Sequence, residues 1–516
     1  MSEDQREVIA FLRDPSSYGP GVDRVEVIET HASLVFIAGD RVFKLKRAVT
    51  YPYLDFSTAD LRRRACEAEL VLNRRTAPTL YEEVRGLFRR PGGAVSFAPN
   101  GEALDWVVVM RRFDQDLLFH ALAETGRLDR HVMDRLADRI TAFHAGAEQR
   151  FDRGGAAEMA RVAEIQYHSL AAVQWAGFTR ECVEGIREKW RNRLTMVSPL
   201  LDCRRGTGKV RHCHGDLHLR NICLFQGEPT LFDCLEFDDT LASVDVLYDL
   251  AFLLMDLEHR GLSHHANRIL NRYLDRTAED DGLAAMPLFL SIRAGIRAQA
   301  VANAVERAPD SRASEELAAD ARRYLDLAHL LFRSQSCKLI AIGGVSGTGK
   351  STLAAALAPE LGLRPGARVL RSDVIRKLLL GVEPEDRLSA SAYDPEITRK
   401  VYDALCQKAA TGLAAGYTVI IDAVALRAKE RCSFAEVARA AAVPLAGLWL
   451  EGQPEVMADR IRNRVGDASD ASPEVLAQQL RHDPGKIAWV RIEAGGQLED
   501  CLAIARRVLA DQSVAG

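Results

Sequence analysis

The sequence lacks the features of a secreted, disulfide-stabilised or membrane-spanning protein. Its ten cysteines are scattered over 516 residues, and no two of them form a C-x-x-C pair. This pattern argues against a disulfide framework or a zinc ribbon, and it suits a reducing compartment. No apolar run approaches the ~18 residues that a membrane helix needs, and the charged N-terminal stretch has no apolar signal core. We therefore expect a cytoplasmic protein with no membrane partner.

An excess of basic residues is also absent. The formal net charge is −4 at pH 7, which argues against a general nucleic-acid-binding surface. Hydrophobic residues make up 47% of the chain and charged residues 27%, as in ordinary globular proteins. A single hydrophobic core rarely serves a chain this long, so we predict about two to four domains.

The strongest motif is a glycine-rich turn within Lys338 to Thr352, which reads K-L-I-A-I-G-G-V-S-G-T-G-K-S-T. An apolar run leads into a match to G-x-x-x-x-G-K-[ST], the Walker A phosphate loop. Small residues let the backbone wrap a phosphate closely, with N–H groups and a helix N-terminus directed at the anion. Lys350 would reach the β- and γ-phosphates of ATP, and Ser351 would bind Mg²⁺. The other predicted nucleotide-binding residues of the loop are Gly344, Gly347, Thr348, Gly349 and Thr352.

Two short apolar runs after the loop end in aspartates. One run ends at Ser372-Asp373, and the other spans Thr418 to Asp422. The carboxyl ends of parallel strands meet at the rim of the sheet where ligands bind. One carboxylate would serve Mg²⁺ and the other a substrate hydroxyl, and we assign Asp422 to the metal and Asp373 to the hydroxyl. A helix N-cap is the alternative role for each aspartate.

A second cluster of reactive side chains lies earlier, from Arg211 to Asp239. The segment R-H-C-H-G-D-L-H-L-R-N places Asn221 five residues after Asp216. This is the spacing of a kinase catalytic loop, in which the aspartate takes the proton of the substrate hydroxyl and the asparagine holds a metal ion. Asp233 follows a short strand and would be the second metal ligand. A transition-metal site built from the crowded histidines and cysteines is the alternative, but it gives these three residues no role.

The region before this cluster predicts a β-hairpin that ends in V-F-K-L-K, followed by a helix over residues 54–75. Lys44 and Lys46 are equal candidates for a phosphate-binding lysine, because strand alternation places both on one face. The helix carries two acidic candidates for the lysine's partner, Glu67 and Glu69.

Three motifs in this half resemble those of the aminoglycoside phosphotransferase and choline-kinase-like family. His214 to Asn221 resembles its HGDxHxxN loop, Phe232-Asp233-Cys234 its metal-binding I-D-[CW], and Asp245 to Ala251 its D-x-x-x-D-[LI]-A helix. The resemblance covers roughly residues 25–330. It implies a two-lobed protein-kinase-like fold that uses ATP and Mg²⁺.

The resemblance also implies roles for individual residues. Asp216 would be the catalytic base, and Asn221 and Asp233 would bind Mg²⁺. Lys44 would contact the phosphates of ATP, with Glu69 as its partner on the helix.

One feature departs from the family pattern. The gap from Asp233 to Asp245 is longer than the family usually shows. Glu236 and Asp238 lie in this gap and are further candidates for the metal role.

The C-terminal half resembles the small P-loop kinases, which include gluconate kinase, polynucleotide 5′-kinase and the zeta-toxin-like kinases. Asp373-x-x-Arg376 is similar to the Asp and Arg with which polynucleotide kinase handles the acceptor hydroxyl and the transferred phosphate. Asp459 to Arg464 resembles the arginine-bearing lid helix. This resemblance implies that Arg460 and Arg464 contact the nucleotide.

Together these patterns predict two domains, a kinase-like domain at residues 1–335 and a P-loop domain with a doubly wound parallel α/β sheet at residues 336–516. The seam is expected at Arg333 to Ser336, where a helical run gives way to a strand. Each half would transfer the γ-phosphoryl of ATP to a hydroxyl of a small molecule. The alternatives are an ATP-binding regulator with one degenerate kinase half, and a kinase of nucleic-acid 5′-hydroxyl ends. The second alternative rests on Asp373 and Arg376 alone.

Overall fold

The structure is a computed structural model of the chain. It describes residues 4–30, 32–51, 54–173, 177–236, 238–307, 312–333, 335–464 and 467–511. Contacts within the chain define two compact units: unit 1 comprises residues 1–158 and 202–253, and unit 2 comprises residues 159–201 and 254–516. Among the described helices, none combines the length and apolar character that a bilayer crossing requires.

Short strands and helices alternate in the first half of the chain. The strands are β1 (Val25–Glu29), β2 (Ser33–Ala38), β3 (Arg41–Lys46), β4 (Thr50–Tyr51), β5 (Leu54–Asp55), β6 (Tyr81–Arg89), β7 (Val95–Ser96), β8 (Glu102–Arg111), β9 (Val210–His212), β10 (Ile222–Phe225), β11 (Glu228–Leu231) and β12 (Ser243–Asp245). The helices are α1 (Arg6–Arg13), α2 (Ala59–Asn73), α3 (Phe119–Glu124), α4 (Arg130–Gly146), α5 (Gly155–Ala171), α6 (Arg180–Gly206), α7 (Asp239–Ala242) and α8 (Val246–His259).

Unit 1 contains an antiparallel sheet with the strand order β1-β2-β3-β8-β6-β7. Alternation along β3 directs Phe43 and Leu45 into a core shared with α1. Lys44 and Lys46 therefore point to the opposite face of the sheet. Helix α2 packs on that opposite face and begins after Thr58, whose hydroxyl accepts the N–H of Leu61. The predicted hairpin and helix are both present, and they surround the two lysines.

The remainder of unit 1 supports two loops. Strands β9 and β12 pair with each other, and β10 and β11 form a hairpin. Residues 213–221 lie between β9 and β10, and residues 232–238 lie between β11 and α7. The chemistry predicted for this half therefore falls on loops held by short strands.

Unit 2 contains most of α5 and α6, in residues 159–201, and the chain from residue 254 onward. Its complete helices are α9 (Ser263–Thr277), α10 (Met286–Arg307), α11 (Arg312–Leu330), α12 (Lys350–Leu357), α13 (Ser372–Leu380), α14 (Pro395–Ala414), α15 (Ala428–Ala440), α16 (Pro454–Arg462), α17 (Pro473–Leu480) and α18 (Leu498–Asp511). Its strands are β13 (Leu339–Gly343), β14 (Arg368–Arg371), β15 (Val419–Asp422), β16 (Leu445–Glu451) and β17 (Val490–Glu493).

The strands of unit 2 form a parallel sheet in the order β14-β15-β13-β16-β17. Helices α12 and α18 cover one face of this sheet, and α14 and α15 cover the other. The central strand β13 is buried along its whole length, as expected for a parallel strand with helices on both sides. The predicted fold class is confirmed: a kinase-like lobed half is followed by a doubly wound P-loop half.

Helix α9 belongs to the same unit as this sheet and is joined to β14 by buried polar contacts. The Arg368 guanidinium lies 2.6 Å from Asp280 Oδ1 and 2.7 Å from Asp275 Oδ1. Asn271 accepts the Val369 N–H through Oδ1 at 2.7 Å and donates through Nδ2 to the Ala367 carbonyl at 3.1 Å.

These contacts cross the seam predicted at residue 335, which therefore lies inside unit 2. Ser334, within that seam, lies outside the described residues. Whether residues 336–516 fold without the preceding helices stays a prediction.

Candidate active sites

In unit 1, one buried carboxylate binds both candidate lysines. Glu69 Oε1 lies 2.9 Å from Lys44 Nζ, and Glu69 Oε2 lies 2.5 Å from Lys46 Nζ. Glu67 is on the exposed face of α2, where it pairs with Arg63 at 2.9 Å. The structure thus brings Glu69 to the site and leaves Glu67 outside it. Both lysines reach the same partner because they lie two residues apart on one strand face.

The two lysines differ in their other contacts. Lys44 Nζ also lies 2.5 Å from Asp233 Oδ1, whereas Lys46 pairs with Glu236. The Lys44 side chain is 15% exposed and the Lys46 side chain 2%. Lys44 is therefore the lysine that is more accessible from the cavity, and Lys46 is held inside an ion-pair cluster.

The cluster shifts the pKa values of its members. Burial disfavours the charge on Lys44, but the nearby carboxylates of Asp233 and Glu69 outweigh it and raise the lysine pKa. Burial alone would raise the pKa of Glu69, yet Lys44 and Lys46 lower it to about 2. Burial raises the pKa of Glu236. Lysine charge is therefore retained in this site without a ligand.

The predicted base and metal ligands lie on the two adjoining loops. Asn221 Nδ2 donates to Asp216 Oδ2 at 2.8 Å and to the Asp216 carbonyl at 2.9 Å, so the five-residue spacing closes one loop. Asp233 has a left-handed backbone, with φ of 60°, and its N–H donates to the Tyr81 hydroxyl at 3.1 Å. His214 Nε2 lies 2.9 Å from the Phe232 carbonyl and so joins the two loops.

Asp249 holds the start of the loop formed by residues 213–221. Its carboxylate accepts the backbone N–H groups of His214 at 3.2 Å and Gly215 at 2.8 Å, and it lies 3.1 Å from His144 Nε2. Asp249 is fully buried. The sequence suggested this residue only as part of the D-x-x-x-D motif, and its contacts make it a positioning residue.

The alternative transition-metal site finds little support. In the described parts of the chain, His144, Cys213 and Asp249 are the group whose ligand atoms lie within 4.8 Å of one another. Burial raises the pKa of the Cys213 thiol, which disfavours the thiolate that a metal needs. The other crowded histidines turn elsewhere, as when the His218 ring packs on Phe252. The cluster is better explained as packing around the catalytic loop.

The long gap after Asp233 has a structural role. Glu236 is directed into the site and pairs with Lys46. Asp238 instead caps α7, accepting the N–H groups of Thr240 at 2.8 Å and Leu241 at 3.3 Å. Of the two further metal candidates, only Glu236 lies at the site.

A cavity of about 530 Å³ connects these groups. Its size is in the range of small-molecule and cofactor sites. Apolar side chains from the sheet, such as Val35, Ile37 and Met110, line one part. The charged part is lined by Lys44, Lys46, Asp216, Asn221, Asp233 and Glu236. This division suits a ligand with a flat apolar ring and a polyanionic tail.

In unit 2, the phosphate loop needs its glycines. Gly344, Gly347 and Gly349 have φ values of 134°, 84° and 90°. A Cβ at Gly344 would lie 2.4 Å from the Leu450 carbonyl oxygen, and one at Gly347 would lie 2.6 Å from that of Met457. A larger residue would force the loop away from its neighbours.

The polar groups of the loop are directed inward. Lys350 Nζ donates to the Val345 carbonyl at 3.0 Å, and Thr348 Oγ1 donates to the same oxygen at 2.8 Å. The Ser346 N–H donates to Gln479 Oε1 of α17 at 2.8 Å, so this amide already faces an oxygen acceptor. Burial lowers the pKa of Lys350. Thr352, also predicted to contact nucleotide, is exposed on α12.

The predicted metal ligands of unit 2 lie together. Ser351 Oγ donates to Asp422 Oδ2 at 2.6 Å. Arg371, at the end of β14, lies 3.6 Å from the same carboxylate oxygen and 2.8 Å from Asp467 Oδ1. Sequence reasoning missed Arg371 and Asp467. Arg371 could have been found from the sequence, because it directly precedes Ser372-Asp373 and so lies at the rim of the sheet where ligands bind.

Neither strand-end aspartate caps a helix. Asp373 lies in the first turn of α13, whose N-cap is Arg371. Asp422 ends β15, and α15 begins only at Ala428. Burial raises the pKa of Asp373, although the charge of the nearby Arg371 acts to lower it. The alternative role in helix capping is therefore wrong for both residues.

Asp373 and Arg376 both line a second cavity, of about 590 Å³. Arg376 Nη1 donates to the Ala392 carbonyl at 2.8 Å and to Thr398 Oγ1 at 3.3 Å. Its guanidinium also lies over the Tyr393 ring, 4.6 Å from the centroid. Ser346 of the phosphate loop lines the same cavity, which therefore adjoins the phosphate site.

The two predicted lid arginines lie at the phosphate loop. Arg460 Nη1 is 3.9 Å from the position of a Cβ on Gly349 and donates to the Ala494 carbonyl at 2.8 Å. Burial is the main cause that lowers the pKa of Lys350, and the positive charge of Arg464 lowers it further. Helix α16 ends at Arg462, so Arg464 lies beyond the helix rather than on it, contrary to prediction.

Parts of the chain are similar to a known family model and to proteins of known structure. A family model described as an AAA domain matches residues 339–483. A gluconokinase from Sinorhizobium meliloti is 25% identical, covering 35% of this chain and 95% of its own, with a TM-score of 0.25. A choline/ethanolamine kinase family protein from Mesorhizobium loti is 15% identical, covering 63% of this chain and 98% of its own, with a TM-score of 0.39.

Similarity over the whole chain is found in mycobacteria. The uncharacterized protein Rv2004c of Mycobacterium tuberculosis is 31% identical over 488 residues, which is 92% of this chain and 93% of that protein. The chain is thus related to this protein along nearly its whole length. It belongs to the family of this mycobacterial protein and of the uncharacterized protein Mb2027c of Mycobacterium bovis.

Proposed function

We propose that the chain is a bifunctional ATP-dependent phosphotransferase. Each half transfers the γ-phosphoryl group of ATP to a hydroxyl of a small molecule. The observation that supports this most directly is a recurring set of groups: each unit has a buried lysine, oxygen ligands suited to Mg²⁺, and an aspartate on the cavity wall. These are Lys44, Asn221, Asp233 and Asp216 in unit 1, and Lys350, Ser351, Asp422 and Asp373 in unit 2.

The donor sets fit Mg²⁺. In unit 2, Ser351 Oγ donates a hydrogen bond to Asp422 Oδ2, and the two oxygens lie 2.6 Å apart. Hydroxyl and carboxylate oxygens at a strand end are ligands that this hard cation prefers. In unit 1, Asn221 and Asp233 would supply the oxygens. When bound, the ion would neutralise charge on the β- and γ-phosphate oxygens.

In unit 2, Asp373 acts as the base toward the acceptor. Its carboxylate accepts the proton of the hydroxyl whose oxygen attacks the γ-phosphorus. Burial raises the pKa of Asp373, and a higher pKa makes a carboxylate a stronger base. Lys350, Arg460 and Arg464 place positive charge around the phosphates.

In unit 1, Asp216 has the corresponding role. The Asn221 side-chain amide donates to its carboxylate and so orients it toward the cavity. Asp249 fixes the preceding backbone through His214 and Gly215. Lys44, held by Glu69, would bind the ATP phosphates, and Asp233, which now pairs with Lys44, would hold Mg²⁺.

The test is a transfer assay on the full chain with ATP labelled at the γ-phosphate. The acceptors are sugars, polyols, aminoglycosides, nucleosides and 5′-hydroxyl oligonucleotides. We expect each of the variants Asp216→Asn and Asp373→Asn to lose at least one accepted compound that the other variant still uses; loss of every compound in the same variant would show one degenerate half. Transfer that survives in both variants, or is never observed with any acceptor, contradicts the proposal.

The alternative function, an ATP-binding regulator, predicts a different pattern. A regulator has no acceptor to activate, so Asp373→Asn would leave its nucleotide-dependent behaviour unchanged. A kinase of 5′-hydroxyl ends would be recognised by transfer to the oligonucleotide alone. The same assay therefore separates the three functions.

A further inference from the structure

Helices α16 and α17 pack directly on the phosphate loop. Leu476 of α17 lies in a small apolar cluster with Met457 and Ile461 of α16. Val345 of the loop packs against this cluster. On the other side of Val345, the loop approaches α16 so closely that a Cβ on Gly347 would lie 2.6 Å from the Met457 carbonyl oxygen. Side chains of α17 are therefore held in a fixed place beside the loop.

One side chain of α17 makes a hydrogen bond to the loop backbone. The Ser346 N–H donates to Gln479 Oε1 at 2.8 Å. The N–H groups of a phosphate loop are directed at the anion that the loop binds. The Gln479 carboxamide thus lies at the edge of the region in which the loop would hold phosphate oxygens.

The contact with Ser346 also determines how the carboxamide is turned. A backbone N–H can only donate, so the atom of Gln479 that faces it is the carbonyl oxygen. Its Nε2 group, which is attached to the same carbon atom, carries two N–H donors on the other side. Among the described residues, none accepts a hydrogen bond from this group. Two donors with a fixed direction therefore remain beside the phosphate loop.

Gln479 is also part of the wall of the cavity that contains Asp373. Asp373 is the proposed base for the hydroxyl that attacks the γ-phosphorus. Of the three phosphates of ATP, the γ-phosphate is therefore the one that must face this cavity. A side chain that contacts the loop and lines the same cavity lies on the γ-phosphate side of the nucleotide.

We propose that Gln479 is the residue with which the P-loop half distinguishes ATP from ADP, because its Nε2 group donates a hydrogen bond to a non-bridging oxygen of the γ-phosphate. The inference rests on the proposed function, since it takes the nucleotide to be bound at the phosphate loop. Ser346 orients the carboxamide, and Gln479 supplies the contact. Neither motif resemblance gives this residue a role.

A neutral glutamine suits this task better than a cation. The positive charges of Arg460 and Arg464 attract every phosphate of a nucleotide, so they favour ADP as well as ATP. A neutral donor adds affinity only when its acceptor is present. Loss of Gln479 should therefore weaken ATP binding and leave ADP binding unchanged.

Three substitutions separate this role from a structural one. Gln479→Leu removes both the contact with Ser346 and the donor group. Gln479→Glu keeps an oxygen that can accept the Ser346 N–H, but it replaces the donor group with a negative charge. Gln478→Glu is the matched control, because Gln478 is an exposed neighbour that lines the same cavity and has no hydrogen bond to a described residue of the loop.

The experiment measures nucleotide affinity rather than turnover. Each substitution is made in the full chain together with Lys44→Met, so that the nucleotide site of unit 1 does not contribute. ADP and a non-hydrolysable ATP analogue are then titrated calorimetrically with Mg²⁺ present. We expect ADP affinity to stay at the value of the Lys44→Met parent, which also shows that each variant is folded.

Affinity for the ATP analogue should fall by about tenfold in Gln479→Leu, the scale of one hydrogen bond to a charged group. It should fall further in Gln479→Glu, because the new carboxylate repels the γ-phosphate. It should change little in Gln478→Glu. If Gln479→Leu also loses ADP binding, the comparison of the two glutamate variants decides.

A purely structural role for Gln479 predicts the reverse order, because the glutamate variant keeps an acceptor for Ser346 and the leucine variant does not. That order, an unchanged ratio of the two affinities, or an equal loss in Gln478→Glu overturns the inference. Tighter binding of the analogue to Gln479→Leu also overturns it, since Gln479 would then compete with phosphate for the Ser346 N–H. These results leave the proposed function standing, and failure of that function appears instead in the transfer assay.

Discussion

The pKa values of Lys44 and Lys350, the two lysines that we propose to bind phosphate, are shifted in opposite directions. Lys44 in unit 1 is surrounded by carboxylates, which raise its pKa. Lys350 in unit 2 donates to a backbone carbonyl, and burial lowers its pKa. The first site holds carboxylates in direct contact with its lysine, and they outweigh burial. In the second site the charges of Asp422 and Asp373 favour the lysine cation but only partly offset burial.

The largest expected effect comes from removing the lysine of the phosphate loop. Lys350→Ala should reduce transfer by the P-loop half by about 10³-fold, the scale of losing one preorganised charge contact. It should also weaken ATP binding, because Lys350 contacts the phosphates in both the ground and transition states. Asp373→Asn should reduce transfer by about 10²-fold or more while ATP binding persists.

The comparison of these two variants requires nucleotide titration and turnover on the same preparations. Asp403→Asn, an exposed aspartate on α14, is the control for Asp373→Asn. If Asp373→Asn abolishes ATP binding as completely as Lys350→Ala does, Asp373 is a metal or structural group. Asp422 would then become the candidate base.

In unit 1, Asp216→Asn should lower turnover by about 10²-fold, the scale of general-base loss, with little change in ATP affinity. Glu69→Gln should instead weaken ATP binding, because Lys44 and Lys46 both lose their shared carboxylate. Glu67→Gln is the matched control on the same helix, since Glu67 pairs only with the exposed Arg63. Equal effects of the two glutamate changes would contradict this placement of Lys44.

A smaller effect is expected from the contact between α9 and β14. Arg368→Met removes the cation between Asp275 and Asp280, so that Asp275 loses this partner and Asp280 retains only Lys408. Breaking a buried ion pair in this way costs about 3–5 kcal/mol, which should appear as a lower unfolding midpoint in denaturant. Arg506→Met, which removes an exposed pair with Glu360, should change the midpoint little.

The same contact bears on where the chain can be divided. We expect a fragment of residues 254–516 to unfold at a higher temperature than one of residues 336–516, because only the longer one retains Asp275 and Asp280. Equal midpoints would favour the seam at residue 335.

The smallest effect concerns pH. Since burial lowers the pKa of Lys350 below its ordinary value of 10.5, this lysine loses its proton earlier as pH rises. Lys44, with a raised pKa, keeps its charge. ATP affinity of the P-loop half should therefore fall as pH rises through the lowered pKa of Lys350, while that of unit 1 is maintained. Titrations with Lys44→Met and Lys350→Met, each of which isolates one site, measure the two profiles, and coincident profiles would contradict the comparison.

Sequence patterns predicted much of the fold and of both sites. The glycines of the phosphate loop and the meeting of Ser351 with Asp422 follow from local rules on loops and parallel strands. The choice between Glu67 and Glu69 depends on which face of α2 packs on the sheet, which the sequence of one helix does not decide. Lys44 and Lys46 could not be separated by alternation, since both point to the same face.

Other features depend on tertiary contacts far apart in sequence. Arg371 is joined to Asp467 across almost a hundred residues. Composition does not decide on which half the alanine-rich helices before residue 335 pack. Contacts with β14, such as the pairing of Arg368 with Asp275 and Asp280, assign α9 to the unit of the P-loop sheet.

The two asparagines of α9 have a further consequence, because β14 is the outermost strand of its sheet. Asn271 accepts the outward N–H of Val369, and Asn267 and Asn271 both donate to the Ala367 carbonyl, at 3.0 and 3.1 Å. These side chains occupy the hydrogen-bonding positions that a neighbouring strand would use. An unprotected edge strand is a template for pairing with another molecule. A P-loop half that lacks α9 would therefore expose the unpaired N–H and C=O groups of β14. Self-association of such a fragment in solution would show that α9 protects this edge strand.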